Sequence, residues 1–104
     1  MATAQYHEPP TELSEQTRTC ARIITSLIEE AEAIGWYSQR LSLESDPDAR
    51  AIMENALHEE YKHFGMDLEY LLRRTPAWRK EMKTILFSKG DIVKRGEEAE
   101  DASH

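Results

Sequence analysis

Apolar residues recur along this chain at steps of three and four, the period of a helix with one buried face. One stripe runs Cys20, Ile24, Leu27, Ala31, Ile34, and its neighbour runs Ile23, Leu27, Glu30, Ile34, Tyr37, Leu41. They predict a long first helix that starts at a Thr11 or Ser14 cap and reaches about Leu41. Ile52, Met53, Ala56, Leu57, Phe64, Leu68 and Leu71 predict a second helix over about Pro47–Arg74, with Asp46 as its cap and Pro47 in its first turn. Thr75 as its cap and Pro76 predict the start of a short third helix to about Phe87, with Trp78, Met82 and Ile85 on one face and Gly90 as the stop. Residues 1–10, ending in Pro9 and Pro10, read as an extended arm, residues 11–90 as one helical domain, and the acid-rich residues 91–104 as a disordered tail. The expected fold class is all-α: an antiparallel two-helix hairpin followed by a short helix. There is no internal repeat.

Two of the stripes carry polar side chains. Glu30 stands between Leu27 and Ile34, and Glu60 and His63 fall on the line Met53, Ala56, Glu60, His63, Tyr70. A carboxylate in such a stripe loses hydration at a cost of several kcal/mol unless something pairs with it. The hairpin corner lies near residue 45, with Glu30 fifteen positions before it and Glu60 fifteen after it. At about 1.5 Å rise per residue the two carboxylates reach the same height, and His63 shares a face with Glu60 because residues three apart on a helix are neighbours.

Carboxylates with imidazole suit a pair of non-haem irons, since oxygen donors hold both oxidation states and bridge two metals. Di-iron carboxylate bundles take a Glu from each of two helices and a Glu-x-x-His pair from each of two more. This chain supplies each contribution once. Two copies of Glu30, Glu60 and His63 about a two-fold axis would complete the set, giving two irons per dimer interface and a homo-oligomer whose assembly is linked to metal binding.

Each group also has a plainer reading. Glu30 could pair with Arg40 or Arg22 of another subunit. Tyr37, two turns beyond Glu30, is placed either to hydrogen-bond a ligand or to pack in the core. On spacing alone Glu29 and Glu32 are a solvated helix face, or else an acidic vestibule that draws cations inward, and Trp36 is a packing residue. His7 and His58 read as surface histidines. The run HEEYKH at 58–63 is no zinc-protease motif, because its histidines are five apart where that motif needs four.

The net charge of -7 argues against nucleic acid and favours cations. A charged fraction of 32% against 39% hydrophobic residues suits amphipathic helices that finish their burial in an oligomer. The single cysteine, Cys20, excludes an intrachain disulfide and reads as a buried thiol in a reducing compartment. With no leader pattern and no apolar run approaching about 18 residues, the chain reads as soluble, cytoplasmic and independent of membranes.

The segments IEEAEAIGWYSQR at 28–40 and HEEYKHFGMDLEYLLRR at 58–74, with HEP at 7–9 and ILFSKGDI at 85–92, resemble the encapsulated ferritins, cargo proteins of encapsulin compartments. The resemblance implies a two-helix subunit, a ferritin-like four-helix bundle formed by two chains, and a ring-shaped decamer of five dimers. It implies a ferroxidase centre at Glu30, Glu60 and His63 across a subunit interface, with Tyr37 nearby and an outer metal-uptake site at Glu29, Glu32 and Trp36. It further implies oxidation of Fe(II) to Fe(III) by oxygen, delivery of the product to an encapsulin shell, and residence inside that compartment. Family members carry an apolar and basic docking peptide at the C-terminus, whereas this chain ends GEEAEDASH. Two other functions compete with this one: a structural oligomerisation protein, which would assemble without metal, and a non-oxidising metal buffer, which would bind metal without consuming oxygen.

Overall fold

The computed structural model describes residues 5–103, and residues 1–4 of the expected arm lie outside the described residues. Among the described residues the fold is all-α. A 3-10 turn at Pro10–Glu12 precedes α1 (Glu15–Leu43), α2 (Pro47–Arg74), α3 (Pro76–Ile85) and α4 (Ile92–Ser103). The chain divides into two compact units, with the change falling inside α2 between Glu69 and Tyr70.

In the first unit Ser14 caps α1, its hydroxyl accepting from the Thr17 backbone N–H at 3.1 Å, while Thr11 belongs to the 3-10 turn. At the corner, Asp46 accepts from the Ala49 N–H at 2.9 Å, a side-chain N-cap for α2. Arg50, half-buried on the first turn of α2, donates from Nη1 to the carbonyls of Leu41 and Glu44. Those are carbonyls of the last turn of α1, which lack helical partners. One guanidinium therefore satisfies the end of α1 from the start of α2 and fixes the corner. Cys20 is half-buried, with Gln16 Nε2 3.5 Å from Sγ.

Leu57 is the one large apolar side chain among the described residues of this unit that is buried, whereas Ile24, Ile28, Ile52 and Met66 remain exposed. The stripes are helical as their spacing requires, but the single chain covers little of them.

In the second unit Leu71 and Leu72 at the end of α2 are buried. The Thr75 side chain makes no capping bond to α3, contrary to its expected role, and Pro76 alone marks the start. α3 ends at Ile85, two residues short of expectation, because the backbone leaves the helix at Leu86 and Phe87 takes a φ of 61°. Gly90, at φ 87°, sits where a residue with no Cβ is least strained.

The expected disordered tail is a helix over Ile92–Ser103. Asp91 caps it, accepting from the Val93 and Lys94 N–H groups at 2.9 and 3.3 Å, and Arg95 pairs with Glu98 at 2.7 Å. α4 lies against α3, Ala99 is 1% exposed, and Lys80 of α3 donates to the Ala102 carbonyl at 3.1 Å, putting a cation at the C-terminal end of the α4 dipole. The acidic residues that suggested disorder form the outer face of that helix.

Arg50→Met should destabilise the protein by about 1–3 kcal/mol, the range for losing charged hydrogen bonds to buried or half-buried carbonyls. Urea unfolding followed by circular dichroism measures it, and an unchanged midpoint would remove Arg50 from its role at the corner.

Candidate metal site

The hairpin brings Glu30 of α1 within electrostatic reach of Glu60 on α2, as the equal spacing from the corner requires. It also sets Glu30 against Asp67, one turn beyond His63 on the same face of α2. The Glu30 carboxyl is pushed up from 4.5 to about 7, first because burial strips its hydration, then because its protonated form can hydrogen-bond to Asp67, and then through the charges of Asp67, Glu60 and Glu29. Glu30 Oε2 and Asp67 Oδ2 are both buried without a hydrogen-bond partner. Two ionised carboxylates are acceptors only, so neither can satisfy the other unless a proton or a cation comes between them. Below about pH 7 the proton on Glu30 fills that place.

His63 lies beside Glu60, with Nδ1 3.9 Å from Glu60 Oε1 and Nε2 3.9 Å from Glu59 Oε2. Both distances exceed a hydrogen bond, so the imidazole is not locked to either carboxylate. Glu59 is engaged elsewhere: Lys62 Nζ sits 2.8 Å from Oε2, and that bond is the main reason the Glu59 carboxyl is held below its ordinary value. Among the described residues, no three His, Cys, Asp or Glu side chains are gathered closely enough within one chain to hold a metal ion.

Glu29 is exposed and Glu32 half-buried, and with Trp36 they follow helical steps of three and four along α1, on a face turned away from Glu30. Trp36 is 52% exposed rather than packed, and with Gln39 and Arg40 it lines a cavity of about 310 Å³. Tyr37 is half-buried beneath Arg40, whose guanidinium carbon lies 5.1 Å from the ring centre. Arg40 is thus directed to Tyr37, and Arg22 is exposed. His58 is exposed and stacks at 5.6 Å on Tyr61, and His7 is exposed as well.

Residues 5–89 match the EncFtn-like family. The chain belongs to that family. The EncFtn-like chain is 40% identical over 99 residues to a ferritin-like protein of Thermotoga maritima, covering 95% of this chain and 87% of that one. It is 41% identical over 87 residues to an encapsulated ferritin-like protein of Rhodospirillum rubrum, covering 84% of this chain and 62% of the relative's length. A crystal structure of a protein from Nitrosomonas europaea, 42% identical, superposes with a TM-score of 0.80 over 85% of this chain and 97% of that one. Membership supports a ferritin-like, iron-related role for the EncFtn-like chain. No helix among its described residues is long and apolar enough to cross a membrane.

Sequence reasoning missed Asp67. The signal was present, since Glu60, His63 and Asp67 step by three and then four along the same stripe of α2. The carboxyl set of this EncFtn-like chain is chemically fit for a cation, because Glu30 Oε2 and Asp67 Oδ2 lack donors that a positive charge would replace.

A raised carboxyl pKa means that the folded state holds a proton the unfolded state has released, so stability falls as pH rises between the two values. Glu30 therefore contributes a loss of metal-free stability between about pH 4.5 and about pH 7. Glu30→Gln should remove that loss, with the Tm advantage of the variant over wild type growing across the window. Parallel curves for the two metal-free proteins would contradict the assignment.

Proposed function

We propose that this chain is a ferroxidase subunit, oxidising Fe(II) to Fe(III) with oxygen at a di-iron site built by two copies of Glu30, Glu60 and His63. The observation that carries this reading is a half-buried carboxylate on α1 that faces Asp67 and Glu60 of α2, with Glu30 Oε2 and Asp67 Oδ2 buried and without a hydrogen-bond partner. Glu30 and Glu60 supply hard oxygen donors and His63 supplies a nitrogen that neither Glu59 nor Glu60 engages at hydrogen-bond distance. One chain gathers too few ligands for an iron, and the apolar faces it leaves exposed beside them suit a second copy.

Iron is the substrate. As each Fe(II) binds, Glu30 releases its proton and the carboxylates hold the cation with their repulsion relieved. Two Fe(II) give up one electron each, and one oxygen molecule takes both electrons with two protons to leave as hydrogen peroxide. Fe(III) then departs for storage. Glu29, Glu32 and Trp36 serve as the outer uptake site on the opposite face of α1, and Tyr37 lies beside the centre. In this reading the dimers assemble into a decamer, and the assembly works in the cytoplasm inside an encapsulin shell. The similarity to an encapsulated ferritin-like protein of Rhodospirillum rubrum supports that placement.

The structural alternative would neutralise Glu30 with an arginine of another subunit and would assemble without metal. Fe(II) added in air at two per dimer should be oxidised well above the buffer rate, as read by oxygen consumption and ferric absorbance. Glu60→Ala and His63→Ala should each bring the rate to background. Wild-type rates in either variant would remove that residue from the mechanism, and metal uptake without oxygen consumption would make the protein a buffer.

A further inference from the structure

Asp67 has no part in the ligand set proposed above, yet its surroundings match those of the ligands. It lies on the α2 face that carries Glu60 and His63 and is half-buried opposite Glu30. Its Oδ2 is buried without a hydrogen-bond partner, as is Glu30 Oε2. No lysine or arginine stands within four positions of Glu30 on α1 or of Asp67 on α2, and the one basic side chain in those spans is the His63 imidazole, itself on the ligand face. A buried acceptor without a donor is destabilising, and a charged one more so. A residue kept at such a cost on the ligand face has an evident use as a ligand.

We propose that Asp67 is a further metal-ligating carboxylate of the site, taking a divalent cation together with Glu30 from the same chain. This rests on the reading of Glu30, Glu60 and His63 as metal ligands and enlarges the set. Each chain then brings three carboxylates and one imidazole, more negative charge than two Fe(II) require. The added carboxylate gives an arriving cation a first pair of oxygens on a single hairpin before the second chain completes the shell.

Asp67→Asn keeps the shape and removes the charge, while Asp67→Ala removes the ligand atoms altogether. Purified oligomer is titrated with Co(II), a redox-stable divalent probe, following visible absorption and Tm, with Glu60→Gln as the control for the underlying site. The expected result is Co(II) affinity reduced about tenfold or more in both Asp67 variants, with an altered absorption band. Metal-free Asp67→Asn should at the same time melt higher than metal-free wild type, because its amide can donate to Glu30. A packing role for Asp67 predicts the opposite change in Tm and an unchanged band. Wild-type Co(II) affinity in both Asp67 variants, with binding lost in Glu60→Gln, would overturn the assignment of Asp67 alone. Failure of wild type to bind Co(II), or undiminished binding by Glu60→Gln, would overturn the site itself and Asp67 with it.

Discussion

Much of this molecule depends on one arrangement: carboxylates on the two long helices face each other where water cannot fully solvate them, with one oxygen each of Glu30 and Asp67 lacking a donor. Like charges at close range in a half-buried setting repel more strongly than in water, because the surrounding dielectric is lower. Glu30 responds by holding a proton up to about pH 7. Nothing in the packing of the hairpin calls for that arrangement, since Leu or Met in the same stripe would be more stable and simpler to accommodate. Under the proposed function it is a place kept for a positive charge, a reading that membership of the EncFtn-like family supports.

The corner sets the heights at which these groups meet. Asp46 caps α2, Arg50 caps the end of α1, and both act within one turn of the reversal. Because helices are stiff rods of fixed rise, anchoring the reversal sets the register of both arms over their whole length. A slip of one residue at the corner would turn Glu30 and Glu60 by about 100° away from their common face. The caps at the reversal and the carboxylates far from it are therefore parts of one construction.

Much of this was legible in the sequence. The stripes from Cys20 to Leu41 and from Ile52 to Leu71 gave the long helices, and Pro47 and Asp46 gave the reversal, because capping and periodicity are local properties that a chain states directly. The pairing of Glu30 with Glu60 followed from counting outward from residue 45. What escaped was of a different kind. Asp67 lies seven positions beyond Glu60, and only the reach of the two side chains across the hairpin shows that it meets Glu30. The helix Ile92–Ser103 escaped because its acidic composition resembles a solvated tail, while its order comes from Ala99 and from a capping lysine twenty-two positions upstream, contacts that composition does not reveal. Thr75 had the right identity for a cap but the wrong backbone, with φ -131° and ψ 83°.

The donorless pair of Glu30 Oε2 and Asp67 Oδ2 bears on how such a protein can change over generations. Most proteins can be made hardier by substitutions that remove local conflict, and the cost of doing so falls on activity when the conflict lies at the working site. Here the quickest route to a tougher metal-free chain is to make one of these two carboxylates neutral. A lineage pressed only to survive heat would drift toward amides or aliphatics at positions 30 and 67 and keep its helices. Persistence of both acids in descendants of this chain would record selection for handling metal, acting against selection for durability.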